Sequence, residues 1–173
     1  MYKIIVLLII GAVILSGAYL FLTKNSKFVA KTVLQETPSV KKTSSKVDYS
    51  ASFAIFTNGT FRIFTAPMYH NLSSDVYIKA DNPNTVYVKR SDITWNDFFK
   101  TLPFALTKEC LTTGTKQTFC TDTNGRLKFY VNGNEDFNAL DKYIENGDKL
   151  LVTYGKENEL QIQKQLQQVP SIK

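Results

Sequence analysis

One short aromatic helix, set among strand-like segments, constrains this chain more than any other feature. Ile93–Leu106 reads ITWNDFFKTLPFAL. Trp95, Phe98, Phe99 and Leu102 recur at spacings of three, four and seven, which places them on one helical face. Thr94 and Asp97 stand at its start as a variant capping box, with the carboxylate at the positive end of the helix. Pro103 stops it. A helix this short cannot bury such a face alone, so it must lie on a sheet.

The strands to supply that sheet are legible on either side. YSASFAIF and TFRIFT flank Asn58-Gly59, a pair suited to the two positive-φ positions of a type I′ turn, which predicts a hairpin over Asp48–Thr65. Short strands are expected at Val76–Lys79 and Thr85–Lys89. A second hairpin is expected from Cys110–Thr113 and Gln117–Thr121 across Gly114-Thr115-Lys116, and further strands at Arg126–Asn132 and Lys149–Tyr154. Phe137–Tyr143 reads as a short helix or irregular crossover. Asn158–Val169 reads as a Gln-rich amphipathic helix using Leu160, Ile162, Leu166 and Val169. The expected fold class is α+β, a mixed sheet with one packed helix and a C-terminal helix after it.

Ahead of this domain, Ile4–Leu22 is apolar and free of charge. At about 1.5 Å per residue it can cross a hydrocarbon layer of about 30 Å as a single transmembrane helix. The competing reading is a leader cleaved after Ala18, but Tyr19–Leu22 carries the apolar run past that point. The segments therefore divide into an anchor at 1–23, a Lys/Ser/Thr-rich stalk at 24–47, a domain at 48–155 and a Gln-rich helix and tail at 156–173. Residues 1–47 hold seven Lys against one Glu, a net charge of +6, whereas 48–155 hold eleven Lys/Arg against twelve Asp/Glu, a net of −1. The basic pI thus belongs to the leader, and the domain lacks the positive face that nucleic acid requires.

The 173-residue chain has two cysteines, Cys110 and Cys120, on the two sides of the expected Gly114 hairpin. Cross-strand placement brings them to bridging distance. A structural disulfide is expected there, and with it an oxidising compartment. The alternative is a redox-active pair for thiol–disulfide exchange. Against it, no Cys-x-x-Cys is present, no helix starts at either cysteine, Glu109 lies beside Cys110 and Phe119 beside Cys120. The cysteines place the domain outside the cytoplasm. Lys24, Lys27 and Lys31 after the span point the other way by the positive-inside rule; the cysteines are given the greater weight.

His70 is the one histidine and has no ligand-spaced partner, so it is read as a surface loop residue rather than a zinc ligand. Asp122–Gly125 and Asn132–Asp136 resemble fragments of calcium loops but lack the twelve-residue pattern, and are read as turns. No constellation for catalysis is evident. The expectation is a non-enzymatic binding or protein-interaction module with no cofactor and no metal. Its contacts would be membrane lipid through residues 4–22, a protein partner that the sequence does not identify, and no nucleic acid. A third reading is an assembly factor docking through the Gln-rich helix.

The order hairpin, helix, strands, crossover and last strand resembles the β-grasp (ubiquitin-like) fold, and Gly147-Asp148-Lys149-Leu150-Leu151-Val152 is similar to the terminal strand of small sulfur carriers. Carriers need a free Gly-Gly tail; here 18 residues follow Gly155. More closely, residues 52–169 resemble a family of small membrane-anchored extracytoplasmic prokaryotic proteins, some labelled protein-disulfide isomerase. The matching pieces are Thr94-Trp95-x-Asp97-Phe98-Phe99, the Cys pair, Leu127–Gly133, Gly147–Leu151 with Tyr154-Gly155, and Ile162–Leu166. Many members carry His-x-His before the helix. Here that position reads Tyr87-Val88-Lys89, so no metal role carries over. The resemblance implies a fold and a location, and no activity.

Overall fold

The computed structural model describes residues 44–172. The expected transmembrane run, its orientation and nearly all of the stalk lie outside them. Among the described residues no helix is long and apolar enough to cross a membrane.

The chain is α+β. Strand β1 (Lys46–Thr57) begins two residues ahead of the expected domain start. It is followed by β2 (Thr60–Phe61), β3 (Val76–Tyr77) and β4 (Thr85–Arg90), then by helix α1 (Trp95–Thr101). Next come β5 (Ala105–Leu106), β6 (Cys110–Thr112), β7 (Thr118–Cys120), β8 (Arg126–Val131), β9 (Asn134–Glu135), β10 (Lys149–Gly155) and helix α2 (Glu159–Gln167). The main sheet runs β3-β4-β1-β10-β8-β9, with β2 beside β1. It is mixed: β1 and β10 are parallel, from Ser52 opposite Lys149 to Thr57 opposite Tyr154, and the other neighbours are antiparallel. A second, small sheet is β5-β6-β7.

The Asn58-Gly59 turn forms with both residues at positive φ (50° and 74°). The hairpin it closes is shorter than expected, because β2 holds only two residues instead of extending to Thr65. β4 takes the first half of the same edge of β1, from Lys46 to Ser52, and β2 takes only Phe56 and Thr57. The Arg62 amide makes one further bond to Ile55 O (2.8 Å), and the chain then turns away.

α1 starts as its sequence dictates. Asp97 N donates to Thr94 Oγ1 (3.0 Å), and Thr94 N donates to Asp97 Oδ2 (3.0 Å). It ends before Leu102, whose extended backbone (φ −86°, ψ 151°) is what a residue preceding proline prefers. Trp95, Phe98, Phe99 and Leu102 are all buried. They pack on the face of the sheet that carries Phe53, Ile55, Val86, Phe129, Leu150 and Val152.

The opposite face carries Ala54, Phe56, Tyr130 and Leu151, and Ile162 and Val169 from the C-terminal helix region close over it. Both faces of β1 and β10 are therefore covered, and residues 51–57 are buried without a break. α2 has its own capping box, Asn158 with Gln161. Ile162, Gln165 and Val169 turn toward the sheet, whereas Leu160 is 67% exposed, contrary to its expected place on the apolar face. Residues two apart do not share a helical face, so Ile162 and Leu160 cannot both face the sheet. The apolar side of α2 thus packs on its own domain, and Leu160 is the large apolar side chain it leaves exposed.

Candidate functional site

The two cysteines lie directly opposite each other on β6 and β7, bonded, with Cα atoms 4.1 Å apart. Thr107 closes the turn before them: its amide donates to Cys110 O (2.8 Å), and the Cys110 amide donates to Thr107 Oγ1 (3.0 Å). Strand alternation sends Phe119 to the other face from Cys120, where its ring meets Tyr154 at 5.3 Å. Phe119 therefore packs away from the Cys120 side chain. Glu109 beside Cys110 is exposed.

The suspected calcium-loop fragments are turns held by their own carboxylates. Asp122 Oδ1 accepts from Asn124 N (2.7 Å) and Gly125 N (3.2 Å), and the Asn124 amide is the main cause that lowers the Asp122 pKa. Asp136 Oδ1 accepts from Asn138 N (2.8 Å) and Asp136 also pairs with Lys142, which lowers its pKa most. Among the described residues no group of three His, Cys, Asp or Glu side chains could hold a metal ion. His70 is half-buried, and its Nε2 donates to Phe64 O (2.8 Å), which ties the loop after β2 to itself.

That loop builds a mainly apolar concavity, a groove of about 350 Å³. Its floor is Ile55 of β1, Phe64 and Leu111 of β6, all buried. Tyr69 and Phe104 wall it, with rings 5.2 and 5.8 Å from Phe64. Phe64 also touches Phe53 at 5.1 Å, so the floor continues into the core beneath α1. The turn Thr113–Thr115 of the disulfide hairpin forms one rim. Ile63, 68% exposed, and Met68, 53% exposed, form part of the lining. Large apolar side chains held open to water around a preformed concavity are what a binding site for an apolar group requires. A larger cleft of about 490 Å³ between the Asn58-Gly59 turn and α2 is lined mostly by polar chains, and Glu157 Oε1 there already accepts from Gly59 N (2.8 Å).

Sequence reasoning did not assemble this groove. TFRIFT reads as a strand, which would alternate Ile63 with its neighbours rather than hold it open in a loop. Pro67 was the available signal, since an apolar stretch that breaks at a proline cannot all be strand. Comparison with known proteins finds no matching family model, no matching curated protein and no matching solved structure.

Proposed function

We propose that this chain is a non-enzymatic binding module of β-grasp type, displayed outside the cytoplasm on a membrane anchor formed by residues 4–22. The observation that carries the reading is the aromatic groove with Ile63 and Met68 at its mouth. The β-grasp assignment is supported by the strand order β4-β1-β10-β8-β9 with a parallel central pair and α1 across one face. The extracytoplasmic placement is supported by the Cys110–Cys120 disulfide, a bond that persists in oxidising compartments.

The test uses the full chain in membranes and a neutral photoreactive decanol, with labelled peptides mapped by mass spectrometry. The peptide spanning Ile63–Tyr69 is expected to be labelled. An Ile63→Glu, Met68→Glu variant should lose about tenfold of that labelling, equivalent to about 1.4 kcal/mol of binding. As both positions are exposed, its thermal stability should change by no more than about 0.5 kcal/mol per substitution. Absence of label in the groove of the unmodified chain sinks this reading.

A further inference from the structure

Resting on the reading of the groove as a binding site, we infer that its ligand is an amphipathic carboxylate, an apolar chain ending in a single negative charge held by Arg62. The groove lining contains one charged side chain, and it is Arg62. Among the described residues no carboxylate forms an ion pair with it. Its guanidinium is nevertheless fixed. Nε donates to Thr57 Oγ1 (2.6 Å), and the Cζ lies 5.4 Å from the centre of the Phe119 ring. Thr57 is buried, so the anchor for Nε is itself rigid. These two contacts engage Nε and set the guanidinium over the Phe119 ring, and among the described residues the terminal N–H groups have no protein partner. A half-buried guanidinium held over a ring and left without a counter-ion is pre-organised for a planar anion. Holding it in place beforehand removes much of the ordering cost of binding.

The charge count selects among anions. One arginine and no lysine in the lining neutralises one charge, which suits a carboxylate better than a phosphate monoester with close to two charges. The remainder of the lining selects an apolar body: Phe64, Tyr69, Phe104 and Leu111 offer rings and methyl groups, and Met68 an adaptable thioether. At about 350 Å³ the groove sits at the lower end of the ~300–1,000 Å³ range for small-molecule sites, which fits one chain and not a double-chain lipid.

The experiment compares photoreactive decanoate with photoreactive decanol on the full chain in membranes, at mildly alkaline pH where the acid is ionised. Groove labelling by the acid is expected to exceed that by the alcohol by about tenfold or more, the worth of a charge-assisted hydrogen bond pair. Arg62→Gln should abolish that difference, bringing the acid's labelling down to the alcohol's. Arg62→Lys, which keeps the charge and loses the fork, should retain part of it. Melting curves of each variant separate a lost ligand contact from a lost fold. Equal labelling by acid and alcohol overturns the inference and leaves the binding reading standing. Labelling by neither overturns both.

Discussion

Phe53 is where the helix, the sheet and the groove meet. Its ring lies 5.3 Å from Phe98, 5.8 Å from Phe99 and 5.1 Å from Phe64, in tilted and edge-on geometries that favour the ring quadrupoles. Removing a ring from this cluster leaves a cavity that close-packed neighbours cannot fill. Phe98→Ala should therefore cost ~3–5 kcal/mol, out of a total stability of ~5–15 kcal/mol for a domain. Urea unfolding followed by tryptophan fluorescence checks this, since Trp95 lies 6.3 Å from Phe98. A loss below about 1 kcal/mol would show that the helix face is not the centre of the core. These aromatic positions were readable from the chain because the information is local: a spacing of three, four and seven needs no knowledge of the sheet. Gly125 was not readable in that way. A Cβ there would stand 2.8 Å from Tyr154 Cζ, a constraint set by a strand that arrives 29 residues later (154 − 125).

At the level of elements, the disulfide hairpin is a staple and a rim. β6 and β7 are three residues each, and β5 is two. Strands so short carry little stability of their own. Closing a loop of this size contributes about 3 kcal/mol on the chain-entropy model. A Cys110→Ser, Cys120→Ser variant should fold with a melting temperature lower by roughly 12–24 °C, at 4–8 °C per kcal/mol for a small domain. The unmodified protein should show no insulin-reductase turnover, because neither sulfur sits at a helix start and the exposed Glu109 carboxylate disfavours a neighbouring thiolate. Rapid turnover would make Cys110 and Cys120 the centre of an enzyme. Cross-strand placement of the pair followed from Gly114 alone. The truncation of β2, by contrast, depends on β4 competing for the same edge of β1, a contest between segments far apart in sequence that no local pattern records.

For the molecule as a whole, tyrosine ionisation contributes to the alkaline limit, and Lys89, raised by its bond to Asp48, acts in the same direction. Burial, then the Glu135 charge, push Tyr130 up to about 12, and burial with Asp122 raises Tyr154 as well. The unfolded chain ionises its tyrosines near about 10. Between those values the unfolded state binds fewer protons than the folded one, so stability falls as pH rises above about 10. Toward acid, Asp48, Asp122 and Asp136 have lowered pKa values, so what they contribute is present above about 3.9 and disappears as pH falls through their folded values. Thermal melts across this span should show a plateau with both flanks falling, and Tyr130→Phe should flatten the alkaline one. An unchanged alkaline flank would mean Tyr130 ionises freely in the fold. A helix lying on a sheet was expected from the strand and helix patterns, and the mixed pairing from the resemblance to the β-grasp fold. The covering of its second face by α2 was not, because Gln165 is buried there and Leu160 is not, against their polarities. The parallel pairing of β1 with β10 has one more consequence, and it concerns time. The middle of the sheet joins Ser52 to Lys149, so a nascent chain that has emerged only as far as β8 possesses edges without a centre. Until the last strand is made, β1 is held along one edge only, by β4 and β2, and its other edge has no partner. The architecture therefore postpones completion of the sheet until β10 has been made.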